Sequence, residues 1–116
     1  MTLHDIAALV ATVPIRNCAN ERDMQDAIAR HLAMHGIAPE REVAIAGGRI
    51  DLRVGRVGIE VKVKGSSSAL VRQVSAYTEE PSLDAILVVT TKWRHRLPGE
   101  LGGKPTLLLC LGGGLL

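Results

Sequence analysis

The stretch Gly48–Lys64, GRIDLRVGRVGIEVKVK, alternates apolar and polar residues on both sides of a glycine-flanked break. A period of two sends successive side chains to opposite faces of a strand. Over 48–54, Ile50, Leu52 and Val54 fall on one face and Asp51 and Arg53 on the other. Over 58–64, Ile59, Val61 and Val63 oppose Glu60, Lys62 and Lys64. Gly55 and Gly58 flank the break, so 48–64 reads as a β-hairpin. A further strand over 41–46 (REVAIA) precedes it and makes a three-stranded meander.

The hairpin carries an acid on one strand and acid-x-lysine on the next: Asp51, Glu60 and Lys62. Any even-length loop brings Asp51 to the same face as the other two. Loop Gly55–Arg56 sets Asp51 opposite Glu60, and loop Gly55–Gly58 sets it opposite Lys62. Two close carboxylates raise one another's pKa unless a cation lies between them. Their hard oxygens suit Mg²⁺ or Mn²⁺. Such an ion can activate water and stabilise charge on a phosphate, and the lysine can hold or deprotonate that water. The plainer alternative is a half-exposed hairpin with cross-strand salt bridges.

Outward from the hairpin, the first two helical segments precede it. Thr2 caps a helix over 3–13 that Pro14 ends, and Asn20 caps one over 20–35 that closes at Gly36. Met24, Ala27, Ile28, Leu32 and Met34 form the apolar stripe of the second helix. After the hairpin, Ser66–Ser68 cap a helix over 67–80, with Leu70, Val71, Val74 and Tyr77 near one face. AILVVTT, after Asp84, does not alternate, as expected of a strand buried on both faces. Residues 92–105 read as a loop and 106–111 (TLLLCL) as a last, edge strand. The order α-α-β-β-β-α-β-β predicts an α/β domain, a mixed sheet flanked by helices.

The whole chain is 116 residues, long enough for a single domain over 1–116. Its apolar runs fall far short of the ~20 residues of a membrane span, so no membrane partner is expected. Cys18 and Cys110 lack metal-binding spacing, and the N-terminus lacks a basic leader; a cytoplasmic protein is the expectation. Residues 1–45 carry six acids and four bases, whereas 46–116 carry six acids and ten bases, which permits a polyanion partner. Aromatic residues make up 2%, which argues against a protein that binds single strands mainly by stacking. His31 and His35 are four apart with no third ligand near in sequence, and no phosphate-binding glycine loop points to a nucleotide cofactor. Arg49, Arg53, Arg56, Lys64 and Arg72 lie near the hairpin acids by sequence, and Lys92, Trp93, Arg94 and Arg96 form a basic run around the lone tryptophan. The eight basic residues are candidates for gripping phosphates, and Trp93 for stacking on or wedging against a base.

With these residues in view, GRIDLRVGRVGIEVKVKG resembles the core of the PD-(D/E)XK nuclease superfamily, with Ile50 where the nominal proline would stand. The resemblance covers about residues 20–91 and implies a restriction-endonuclease-like three-layer core. It implies catalytic roles for Asp51, Glu60, Lys62 and Glu21, with the metal held by Asp51, Glu60, the Val61 carbonyl and Glu21. Glu21 has a second reading as a first-turn acid that favours the helix dipole. Gln73 and Tyr77 resemble the Q-x-x-x-Y motif of the RecB-like branch, and as an i, i+4 pair they share a helix face. The resemblance thus implies a Mg²⁺- or Mn²⁺-dependent deoxyribonuclease. A homodimer cutting branched or junction DNA, like small Holliday-junction resolvases and phage nucleases, is the expectation. Exonuclease, nicking or restriction-type endonuclease, and catalytically silent DNA-binding module are the rivals.

Overall fold

A computed structural model describes residues 1–16, 18–92 and 94–112. Helix α1 (Leu3–Val10) starts at a capping box between Thr2 and Asp5. Helix α2 (Glu21–Met34) is capped by the Asn20 side chain, which accepts the Asp23 N–H. It ends in a Schellman turn: Gly36, at φ +81°, donates to Ala33, and Ile37 donates to Leu32 at 2.9 Å. Met34, expected on the apolar stripe, is 76% exposed, and Gln25 is buried instead.

Strands β1 (Glu40–Ile45), β2 (Gly48–Val54) and β3 (Val57–Val61) form the antiparallel meander. Helix α3 (Ser67–Tyr77), capped by Ser66, crosses over to β4 (Ala85–Thr90), which pairs parallel to β3. A two-residue strand, β5 (Glu100–Leu101), lies inside the segment expected to be a loop and pairs with β6 (Lys104–Cys110). The sheet order is β1-β2-β3-β4-β6-β5, and β6 lies parallel to β4. The described residues therefore form an α/β domain of three helices and a six-stranded mixed sheet. Among the described residues, no helix is long and apolar enough to cross a membrane.

Two apolar clusters fill the faces of the sheet. On one face, Ile6 and Val10 of α1 and Ile28 and Leu32 of α2 pack with Leu52, Ile59, Val61, Leu87 and Val89. On the other, Leu70, Val74 and Tyr77 of α3 pack with Ile50, Ile86 and Val88. All six β4 residues are buried, as its unbroken apolar run implies.

The hairpin departs from strict alternation at one point. Ile50 packs under α3, whereas Leu52 and Val54 pack toward α1 and α2. The β2–β3 pairing runs from Val54↔Val57 to Leu52↔Ile59 and stops there, so the face is free to switch at Asp51. Gly58 makes room for the switch. A Cβ on Gly58 would collide with Ile50 Cδ1 and press on Leu83 Cδ1 at 3.2 Å. Gly58→Ala is expected to cost about 1–3 kcal/mol by overpacking. Ile50→Val deletes the clashing methyl, so in that background the same change should cost less. Thermal melts of the four-protein cycle read the coupling directly.

Candidate functional site

The hairpin turn is Gly55–Arg56, with Val54 opposite Val57. Extending that register by one residue sets Asp51 opposite Glu60. Instead of ladder bonds, the two side chains take main-chain hydrogens of the facing strand. Asp51 Oδ2 accepts the Val61 N–H at 2.8 Å, and Glu60 Oε1 accepts the Asp51 N–H at 3.3 Å. Burial first, with the charges of Glu42 and Glu21 behind it, holds the Asp51 carboxyl above its ordinary value, against the lowering effect of the Val61 N–H bond. Glu60 is 5% exposed. Burial first, and the Asp51 charge second, push its carboxyl up to about 8.

Helix α3 fixes the far side of Glu60. Gln73 Nε2 donates to Glu60 Oε2 at 3.0 Å and to the Tyr77 hydroxyl at 2.8 Å. The single Tyr77 proton lies between the Arg49 carbonyl at 3.0 Å and Glu60 Oε2 at 3.2 Å. Burial raises the Tyr77 phenol well above its usual value, so it stays protonated and can donate. The i, i+4 spacing thus aims both side chains at one carboxylate oxygen.

Lys62 lies just past the end of β3, which stops at Val61 rather than running to Lys64. Its main-chain N–H still reaches the Val89 carbonyl at 2.9 Å, so it stays anchored beside β4. Its charge reaches Glu60, where it favours the ionised form. Glu21, at the start of α2, accepts the Val63 N–H through Oε2 at 2.8 Å and so ties α2 to the segment after β3.

The proposed phosphate contacts divide. Arg53 grips Glu40 through two nitrogens, at 3.0 and 2.9 Å, and also reaches Ser82. Arg56 pairs with Asp84 at 2.8 Å, four residues from Glu60 and so about 13 Å along the strand. Both are engaged at the turn end of the hairpin, away from the acids. Arg49, Lys64, Arg72, Lys92, Arg94 and Arg96 are exposed. Trp93 lies outside the described residues.

Two residues near the site have no counterpart in the motif reading. Glu42 follows from the β1–β2 register, in which Arg41↔Leu52 and Val43↔Ile50 bracket Glu42 opposite Asp51. It is the only non-glycine residue among those described in the left-handed region, at φ 53°, a conformation that costs energy and often marks functional sites. His95 is 4% exposed, bonded on one side to Thr90 Oγ1 at 2.8 Å and on the other to the Gly65 carbonyl at 3.1 Å.

No protein-family profile, curated protein or solved structure matches this chain.

The site's chemistry therefore rests on its own donors. Among the described residues, no group of three or more His, Cys, Asp or Glu side chains is gathered for a metal. Asp51 and Glu60 are a pair of hard oxygen donors whose mutual repulsion a cation would relieve. Mg²⁺ is characteristically held by one or two carboxylates while keeping several waters. Gln73 Oε1 is buried without a partner in hydrogen-bonding terms, an acceptor suited to such a water. The donor set suits a hydrated Mg²⁺ or Mn²⁺ and, with no Cys or His gathered beside the acids among the described residues, lacks the ligands of a structural zinc site.

Proposed function

We propose that the chain is a metal-dependent deoxyribonuclease of the PD-(D/E)XK type, with a restriction-endonuclease-like core. The observation that carries this reading is the pair of half-buried Asp51 and buried Glu60, braced by Gln73 and Tyr77 and followed by Lys62. Two carboxyls set together out of water resist ionisation, as the raised Glu60 value shows, and that cost to the fold is explained by a cation or a reacting group that the pair serves. Asp51, Glu60 and the Val61 carbonyl would hold Mg²⁺ or Mn²⁺. A divalent ion there supplies a lowered water pKa and neutralises charge on a phosphate. Gln73 and Tyr77 keep Glu60 Oε2 oriented, and Lys62, whose charge reaches Glu60, would supply an ammonium to the attacking water or the phosphate. Glu21 serves the site from its edge while holding the Val63 N–H.

Structure-guided endonuclease activity on branched DNA, by a homodimer, is the form we propose. Among the described residues, the outer edge of β6 beyond Pro105 has no neighbouring strand, and a second copy would cover it. The test is a panel of four-way junction, supercoiled plasmid, linear duplex and single-stranded DNA, with Mg²⁺, Mn²⁺ or a chelator. Cutting of the junction with either metal and none with chelator is the expected result. Cutting only from free ends would make it an exonuclease, and binding without cutting would make it a silent module.

A further inference from the structure

We propose that one DNA strand's sugar–phosphate backbone leaves the acid pair along a lysine-lined groove at the carboxyl ends of β3 and β4. This deepens the nuclease reading and rests on it. Three open recesses join there, and Val63 and Lys64 line all of them. The first, about 500 Å³, is walled by Glu21, Arg22 and Lys62. The second, about 270 Å³, passes Asn20 and reaches Lys92. The third, about 420 Å³, ends among Lys92, Ser66 and Arg94.

Several arginines outside this path are engaged: Arg41 with Asp26, Arg53 with Glu40 and Arg56 with Asp84. Arg22, on the wall of the first recess, likewise pairs with Asp26 and Glu42. Among the described residues, the ammonium groups of Lys62, Lys64 and Lys92 form no ion pair. The one acid lining the groove, Glu21, already takes the Val63 N–H. Three solvated cations in a row on one side of two carboxylates attract a chain of anions. Lysine binds phosphate as a point charge and lacks the fork with which arginine reads guanine. The three lysines therefore grip backbone rather than base edges.

The two loops that carry the lysines are fastened together. The Lys92 N–H donates to Thr90 Oγ1 at 2.9 Å, Thr90 Oγ1 meets His95 Nδ1 at 2.8 Å, and His95 Nε2 meets the Gly65 carbonyl at 3.1 Å. That chain links the segment after β4 to the segment after β3. It fixes the spacing of Lys64 and Lys92 before any DNA arrives.

The test measures binding of a labelled DNA oligonucleotide in chelator, where cleavage is silent, over a series of salt concentrations. Lys64→Gln and Lys92→Gln keep much of the side-chain stem and remove the charge. Each should reduce the slope of log affinity against log salt by about 0.7–0.9, one phosphate contact, and the double variant by about twice that. Arg56→Gln, at the engaged turn, should leave the slope unchanged. A double variant with wild-type slope and wild-type melting temperature overturns the groove, as does a slope that falls equally with Arg56→Gln. Cleavage that survives Asp51→Asn would instead overturn the nuclease reading, and leaves these binding slopes untouched.

Discussion

Asp51→Asn and Glu60→Gln should each cut DNA cleavage by roughly 10²- to 10⁴-fold while leaving the protein folded. Each change keeps the size of the side chain and one acceptor oxygen, so the Val61 and Asp51 N–H groups retain partners. What is lost is a negative charge on the two-acid pair that would hold the cation. A bound metal contributes several kcal/mol of charge stabilisation, and ~1.4 kcal/mol is tenfold in rate. Lys62→Ala should also lower turnover, yet leave metal affinity largely intact, because Lys62 lies past the strand end and supplies charge rather than a ligand. DNA binding in chelator should survive the acid changes or tighten, since a charge facing phosphates is removed. A purely structural hairpin predicts unchanged cleavage in all three. Cleavage assays on folded variants separate the two.

The same acids should make the fold less stable at alkaline pH. Glu60 has an ordinary value of 4.5 and rises to about 8 in the folded chain. Its folded pKa lies above its unfolded one, so its stabilising contribution is complete below about pH 4.5 and fades as pH climbs to about 8. Across that window the unfolded chain has released a proton that the native state still holds. Stability therefore falls by up to roughly 1.4 kcal/mol per pH unit. Asp51, also raised, acts in the same direction. Glu60→Gln should thus melt higher than wild type at pH 8 and match it near pH 4. Denaturant melts across pH measure the difference, and parallel curves for the two proteins would refute the buried-acid account. The variant most damaging to cleavage is then the more stable protein, as expected where function maintains an unfavourable site.

Much of this was legible in the sequence. The alternation of 48–64 and a two-residue turn point Asp51 toward Glu60, although the ladder stops at Leu52 and side-chain-to-main-chain bonds join the two acids; Asn20, Ser66 and Gly36 mark helix ends by their capping chemistry. Other features depend on contacts that no local pattern carries. The switch of Ile50 to the α3 face needs the missing Cβ of Gly58, eight residues on. Arg53 and Arg56 are engaged by acids on β1 and before β4, 13 and 28 residues away. Lys62 leaves the sheet because β3 ends one residue earlier, which periodicity does not show. Strand β5 is two residues long and owes its existence to β6. His95 lay in a basic run that resembled a solvated loop, and only its partner Gly65, 30 residues away, explains its burial.

The central claim is that Asp51 and Glu60 together hold a divalent cation, and calorimetric titration of Mn²⁺ at pH 7 tests it without any substrate. Wild type should bind one ion and release close to one proton, because the ion displaces the proton that Glu60 retains below about 8. Asp51→Asn should lose most of that binding. Equal binding by wild type and Asp51→Asn, or none by wild type, would contradict the account.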